Sequence, residues 1–559
     1  YGVNKENGKR SAYIPKDVYW GLVRKSRGSL GYNERQYETM EGTLSFRHKF
    51  WNIIDVNAVA GIGRYLDKGT GMTVSYQNAN DMINDSNLAA ADGPFSPTSY
   101  KYENEKRSQF LRASFDILDR YVLTATLRRD GTDKFFPDKK YSLFPSASVA
   151  WKLSNESFMQ NLSWLNLLKV RASYGMTGSD NLGTSLYGIV GISREDIKFS
   201  NSSVTYVPYA LQSANYSDVT WQKTTMKNIG LDFSILKDRI WGSLDVFRND
   251  VTNLLDTAPT SLLNMYGYRP VNGGHYKRTG VELSLNTLNI QTPNFKWTSS
   301  LALSHYNACW IERMPNFDYK KYQKRENEPM NAYYYYKMVG VINEDRSNMP
   351  DSQRSLPREA QLPGYPIIDD RNGDGKIDIN DIYMDNTLPK VYYGFGNTFA
   401  YKKFDLDIYM YGQLGVKKFN STHSSNCSAA NLASGILAAN PTDYAYSIWN
   451  SQTNPNGEVP GIAYKSVTLP ENAPINAFWE KASFLRVRNI TLGYNWDARK
   501  LAFLKGNVQN IRLFVDFQNP FTLTKFEGDD PEIETSAGNL GHGQYPQLRV
   551  YSFGAKISF

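Results

Sequence analysis

No stretch of this 559-residue sequence approaches the roughly 18 consecutive apolar residues that a membrane helix needs, which excludes helical membrane proteins. Cysteine is nearly missing. Cys309 and Cys427 are the only two, so neither a disulfide framework nor a cysteine-rich zinc module can be built. The five histidines, His48, His275, His305, His423 and His542, are dispersed and form no HExxH. A nucleophile elbow and a P-loop are also lacking. The glycine pairs Gly61/Gly63 and Gly394/Gly396 lie inside strand-like stretches with no helix to follow, where close strand packing or bulges account for them. These absences point away from an enzyme. The chain opens at Tyr1 without a basic-then-apolar leader, which reads as a mature, clipped or partial chain.

What is present is aromatic: 39 Tyr, 27 Phe and 11 Trp in a chain that is 41% hydrophobic and 21% charged. That apolar content suffices for a large folded body and rules out wholesale disorder. So many rings in a polar background suggest many short strands or an aromatic-rich surface. The net charge of +8 is spread in mixed-sign patches such as 101–107. No basic helix accompanies it, so nucleic acid is not an expected partner.

One pattern recurs, a period-two alternation over about ten residues. Leu111, Ala113, Phe115 and Ile117 alternate with Arg112, Ser114 and Asp116. Leu168, Val170, Ala172, Tyr174 and Met176 alternate with Lys169, Arg171 and Ser173. Phe404, Leu406, Ile408 and Met410 face away from Asp405, Asp407 and Tyr409, and Ile511, Leu513, Val515 and Phe517 oppose Arg512 and Asp516. A soluble sandwich also alternates, but charges at mid-strand suit a wet lumen behind a lipid-facing wall. About fifteen strands are predicted, near 41–51, 53–65, 105–118, 120–130, 142–153, 167–177, 226–237, 239–252, 277–289, 295–308, 390–402, 403–416, 484–496, 509–521 and 546–559.

Connection lengths alternate as well. Joints at 118–121, 236–240 and 401–404 are tight, whereas 66–104, 178–225, 309–389 and 417–483 are long and polar. Short turns on one side and long loops on the other describe an all-β, transmembrane antiparallel β-barrel of the outer membrane. Trp51, Tyr65, Tyr121, Trp151, Trp241, Trp297, Tyr401, Tyr494 and Trp496 at strand ends read as girdles at the headgroup level. The last strand puts Tyr551, Phe553, Ala555, Ile557 and Phe559 on one face. Residues 1–40 are assigned to an extracellular loop region and 41–559 to barrel, with an extracellular insertion at 309–389. Fifteen is odd, whereas bacterial single-chain barrels have even counts, so further strands are expected elsewhere.

The sharpest local motif begins at Asp370. Asp370, Asn372, Asp374, the Lys376 carbonyl, Asp378 and Asp381 fall at positions 1, 3, 5, 7, 9 and 12 of an EF-hand-like loop, with Gly375 at the sharp turn. Hard oxygen donors at alternate residues predict a structural Ca²⁺, although Asp at position 12 shortens the reach of the bidentate ligand. The run Tyr333, Tyr334, Tyr335 and Tyr336 offers stacking faces for sugar rings or peptide side chains; a plain tyrosine-rich strand reads equally well. An oxidising location would permit a bridge between Cys309 and Cys427.

Several stretches resemble one family. The residues 129–135 (RDGTDKF), 143–151 (LFPSASVAW), 155–158 (NESF), 168–178 (LKVRASYGMTG) and 484–494 (FLRVRNITLGY), with the 372–375 NGDG, 518–521 QNPF and the terminal Phe559, are similar to the SusC/RagA family of TonB-dependent outer-membrane transporters. The matches run in order from about 105 to 559; the first hundred residues fit loosely. The resemblance implies a 22-stranded barrel, an N-terminal plug with a TonB box, and a SusD-like lipoprotein over the extracellular mouth. Set against that pattern, the plug, the TonB box and the first strands, seven of them on the count above (22 − 15), are expected to lie outside these residues. The implied activity is TonB-dependent import of oligosaccharides or peptides across the outer membrane of a Gram-negative bacterium, with outer-membrane lipid around the wall and the plug and missing strands on another segment or chain. Rival readings are a passive channel or surface-binding protein without energy coupling, and a secreted carbohydrate-binding protein.

Overall fold

The alternating segments become strands, and each pairs antiparallel with the next along the chain. In the computed structural model the described residues are all except 15–25, 79–87, 89–90, 92, 183–188, 193–198, 202–203, 207–208, 214–217, 260–267, 316, 318, 324–326, 427–442, 462–466, 498–507, 529, 533–546 and 559. The main sheet runs β1 (Gly2–Ile14), β2 (Arg27–Phe50), β3 (Ile54–Gln77), β4 (Ser96–Ile117), β5 (Tyr121–Thr132), β6 (Tyr141–Lys152), β7 (Leu165–Ser179), β8 (Gln222–Ile235), β9 (Ile240–Pro259) and β10 (Tyr268–Gln291). It continues through β11 (Phe295–Glu312), β12 (Val391–Tyr401), β13 (Phe404–Leu414), β14 (Phe484–Asp497), β15 (Asn510–Gln518 with Thr522–Thr524) and β16 (Val550–Ser558). The two pieces of β15 both pair with β14 and form one interrupted strand, so the seventeen-stranded sheet contains sixteen strands.

Register makes one face continuous. Phe115 lies opposite Leu123, Leu123 opposite Val149, Val149 opposite Ala172, Ala172 opposite Ile229, Ile229 opposite Val246 and Val246 opposite Val281. The same face continues through Leu406, Leu492, Val515 and Phe553. Ile229 is 64% and Phe553 78% exposed, as side chains that meet lipid must be when only protein is counted. Trp241, opposite Ser234, falls on the other face, whereas Trp51, Tyr121, Trp151, Tyr401 and Trp496 stand exposed at strand ends on the periplasmic side. There Tyr121 stacks on Trp151 at 6.2 Å, Trp297 on Phe399 at 5.5 Å, and Phe404 leans on Tyr494 at 4.9 Å. Tyr65 does not join them. It points to the opposite face and donates its hydroxyl to Glu41.

Two expectations need correction. The strand count is sixteen rather than fifteen, because residues 2–14 form β1, which pairs with residues 27–39 of β2. Residues 2–14 and 27–39 therefore form a ladder and not a loop. The pattern hid it because β1 is exposed on both faces along most of its length, and a strand with water on both sides has no reason to alternate. β2 and β3 also each reach 24 residues and shorten the long connection at 66–104. With an even count, parity no longer speaks for further strands. The edges do: among the described residues, residues 40–50 of β2 on one side and β16 on the other pair with a single neighbour each.

The insertion has a core of its own. Tyr336, Ile342, Leu356, Ile368 and Ile382 pack against Ile448, Leu469 and Phe478 from the next long connection. The segments 313–390 and 415–483 therefore share one apolar centre beyond the ends of β11–β14.

Candidate functional site

The face behind the apolar wall is polar and paired. Arg171 on β7 bonds Asp232 on β8 at 3.0 Å and Asp245 on β9 at 2.7 Å, and Lys169 reaches the same Asp232 at 2.7 Å. Asn228 adds a contact to Arg171 at 3.3 Å. Around the sheet, Arg512 pairs with Asp405, Thr398 bonds Asp407 at 2.6 Å and Thr491 bonds Asp516 at 2.5 Å. Such a wall suits a water-filled or polar-packed lumen. These partners are too far apart in sequence for any motif to connect them, although the parity of each strand already put them on one face.

Higher on that face, Arg486 is 2% exposed. Its guanidinium donates to Asp530 at 2.7 Å, to Glu532, and to the Thr522 hydroxyl at 2.9 Å, while the Tyr411 hydroxyl donates to Glu532 at 2.7 Å. Burial alone would raise the Asp530 carboxyl. The backbone N–H groups of Glu532 and Gln547 and the Arg486 charge hold it below the usual range instead. This cluster ties residues 530–532 to the wall, and the sequence reading missed it.

Tyr333, Tyr334, Tyr335 and Tyr336 form a short strand, Ala332–Tyr336, paired with Ile382–Asn386. They are not an open stacking platform. Tyr334, Tyr335 and Tyr336 are buried, and Tyr336 is fully enclosed with its hydroxyl donating to the carbonyls of Asp378 at 3.0 Å and Pro470 at 3.3 Å. Burial pushes the Tyr335 and Tyr336 hydroxyls up. Tyr333, half-buried, stacks on Trp479 at 3.9 Å between ring centres. The run is mainly the joint between the two long connections.

The 370–381 loop turns sharply at two glycines. Gly373 and Gly375 adopt φ of 71° and 82°, where a side chain would be strained. Asp370 accepts from the N–H groups of Gly373 and Gly375 at 2.8 and 2.9 Å, Asn372 from Asp374, and Asp374 from Lys376 at 2.9 Å. Asp378 accepts from Asn380 at 2.7 Å, and buried Asp381 from Arg371 and Asp378 at 2.9 and 2.8 Å. The all-oxygen donor set fits a hard cation. In this arrangement the carboxylates turn to backbone amides and do not gather three within 4.8 Å. Among the described residues only His423, Glu480 and Glu527 do so. There the His423 ring nitrogen lies 2.8 Å from Glu480, which also accepts from Asn420 at 2.9 Å. Cys309 is half-buried in β11 and a free thiol; Cys427 and Phe559 lie outside the described residues.

Residues 4–519 match the family described as TonB dependent receptor-like, beta-barrel. TonB-dependent receptor P3 of Formosa agariphila is 26% identical over all of this chain and 56% of its own length. TonB-dependent receptor SusC of Bacteroides thetaiotaomicron is 27% identical over 83% of this chain and 44% of its own length. The chain thus spans about half the length of the curated relatives it matches. The solved RagAB peptide transporter superposes on the whole chain with a TM-score of 0.77, at 17% identity and over 59% of the solved chain, a likeness of fold.

Proposed function

The chain belongs to the TonB-dependent receptor β-barrel family, and on that premise we propose that it forms the barrel wall and mouth of an active importer for oligosaccharides or peptides, working with a SusD-like surface lipoprotein. It is an outer-membrane protein of a family of receptors and transporters, not of enzymes. The observation that carries the proposal is the pairing of a continuous apolar wall with an ion-paired inner face, capped by a folded unit made from two long connections. A bare channel needs the first two features only. A folded unit of this size at the mouth supplies a surface for a lid protein and for substrate. Energy coupling would come through a plug outside these 559 residues, for which the extra length of the relatives leaves room.

The test is uptake by cells carrying the full receptor. Import of an oligosaccharide or peptide panel should stop when TonB is deleted, and the receptor should copurify with a SusD-like lipoprotein. Uptake that persists without TonB would favour the passive channel. Which panel is imported decides the substrate class: SusC is named a TonB-dependent receptor and RagAB a peptide transporter, and neither name fixes the substrate of this chain.

For the 370–381 loop the same reading adds one structural Ca²⁺, bound by Asp370, Asn372, Asp374, the Lys376 carbonyl, Asp378 and Asp381. Binding requires these oxygens to converge on one point, which they can do while still accepting from the amides, since a carboxylate has about four lone-pair sites. Calcium titration of the purified receptor should protect this loop from proteolysis, and Asp374→Ala should abolish the protection while the barrel still assembles. No calcium-dependent protection in the unaltered receptor would remove the ion from the account.

A further inference from the structure

The apolar wall carries a groove that ends in arginines. Its lower part, 710 Å³, is lined by Leu44, Ala60, Ile62, Leu111, Leu127 and Leu143 on β2–β6, with Gly42 and Ala60 leaving the depression between larger side chains. Leu44 is 76% and Ile62 66% exposed, so the groove opens on the membrane. Its upper end continues into a 470 Å³ cavity that Arg64, Arg107, Arg129 and Tyr141 line together. Register puts all of these on the lipid-facing side: Arg64 lies opposite Arg107, Arg129 opposite Leu143, and Ile62 opposite Gly42.

Height follows from counting. An apolar band of about 25 Å takes about ten tilted residues, five per face. From the short turn at 118–120 the outward residues of β5 are Tyr121, Leu123, Ala125, Leu127 and then Arg129. The short turns face the periplasm, so the arginines stand where the outer leaflet meets its headgroups. Lys227 and Arg248 occupy the same fifth place on β8 and β9.

Charge on this rim is in surplus. Arg64 and Arg107 share one carboxylate, Glu105, at 2.9 and 2.5 Å. Arg129 lies over the Tyr141 ring at 4.2 Å and otherwise reaches the Gln109 amide oxygen at 3.5 Å. Among the described residues no carboxylate pairs with it. Glu41 nearby points to the inner face, bound by Tyr65. Glu38 and Glu103 also act on Arg64 from the positions beyond, Glu103 being paired with Lys68 at 3.3 Å, so the guanidinium without a carboxylate is that of Arg129. At the top of an apolar groove it leaves the cluster ready for an amphiphile with an anionic head, and the planar fork of arginine matches phosphate oxygens two at a time.

We propose that Arg64, Arg107 and Arg129 bind the phosphate of an outer-leaflet lipid whose acyl chain lies in the Leu44–Leu143 groove. Tyr141 holds the Arg129 side chain upright at the interface, and the acyl chain covers the depression over Ala60. The site fixes a lipid on the outside of the wall and is separate from the import path.

The experiment uses the full-length receptor, purified and stripped of lipid, with native mass spectrometry as readout. The probes are diphosphorylated lipid A, its dephosphorylated form and inorganic phosphate. The receptor should retain diphosphorylated lipid A about tenfold better than the dephosphorylated form, the scale of a charge-assisted hydrogen bond or two. Arg107→Gln with Arg129→Gln should erase that preference, and inorganic phosphate should not displace the lipid. Ala60→Phe, which keeps all three arginines and fills the groove, should lower retention of both lipid forms and carries the test if the arginine pair fails to assemble. Equal retention of the two lipids by the unaltered receptor, a preference that survives the arginine changes, unaltered retention in Ala60→Phe, or displacement by inorganic phosphate would each overturn the proposal.

Discussion

Tyr336 shows how far a residue's role depends on what folds over it. In sequence it is the last of four identical side chains, and nothing local separates a binding tyrosine from a core one. The difference comes from Pro470 and Ile382, which arrive from 134 and 46 residues away to enclose it. Removing the ring, as in Tyr336→Ala, should cost the outer unit about 3–5 kcal/mol through the cavity left behind. Tyr336→Phe should cost about 1 kcal/mol, since two carbonyls lose one donor. Chemical denaturation followed by Trp fluorescence of the receptor would measure both, and equal effects would sink the core assignment. Asp369 sets the acid limit of the same unit. The Tyr383 hydroxyl at 2.7 Å holds its carboxyl below the usual carboxylate range, partial burial opposes this, and Lys337 at 3.0 Å reinforces it. A folded value below the unfolded one, about 3.9, gives stability that is present above pH 4 and lost as pH falls through the folded value. Protection of the Pro366–Ile368 and Ile382–Asn386 strands, corrected for intrinsic exchange, should fall in that acid window. Asp369→Asn should flatten the dependence, and an unchanged acid profile in that variant would exclude this carboxyl.

Elements were legible where two solvents meet. From β4 to β15 each strand passes between lipid and lumen, and the period-two pattern follows from that difference alone. β1 has water on both sides along most of its length, so nothing in its sequence marks an inward or outward position. The 370–381 loop was legible for another reason: its turns need glycine at fixed offsets, and Gly373 and Gly375 supply it. The face assignment carries its own test. Leu244 sits at the third outward place of β9, near mid-membrane, and is exposed to lipid. Leu244→Arg should destabilise the barrel by about 2–4 kcal/mol. Ser284→Arg, on the inner face of β10 opposite Ser243, should change stability far less. Urea unfolding of the receptor in vesicles compares the two, and a larger cost for Ser284→Arg would mean that the faces are reversed.

At the scale of the molecule the governing quantity is the unpaired backbone at membrane depth. β1 meets β2 only at residues 27–39, beyond the apolar band, so residues 40–50 of β2 have one neighbour there, as does the nine-residue β16 on the far side of the sheet. About half of the N–H and C=O groups of each edge segment point away from the existing neighbour. At several kcal/mol per unsatisfied group in hydrocarbon, the two edges together cost on the order of tens of kcal/mol. That exceeds the roughly 5–15 kcal/mol by which folded proteins are stable, so the edges must be covered by strands. A 22-stranded barrel of the resembled family would supply six (22 − 16), and the matched relatives extend well past this chain. Exported to the outer membrane by itself, the 559-residue chain should therefore give no heat-modifiable, protease-resistant barrel. Joined to the remaining strands of its receptor, it should give both properties, with β16 protected from hydrogen exchange to the same degree as β15. A resistant barrel from these residues alone would mean that β2 and β16 pair with each other, and that sixteen strands are enough to close the wall.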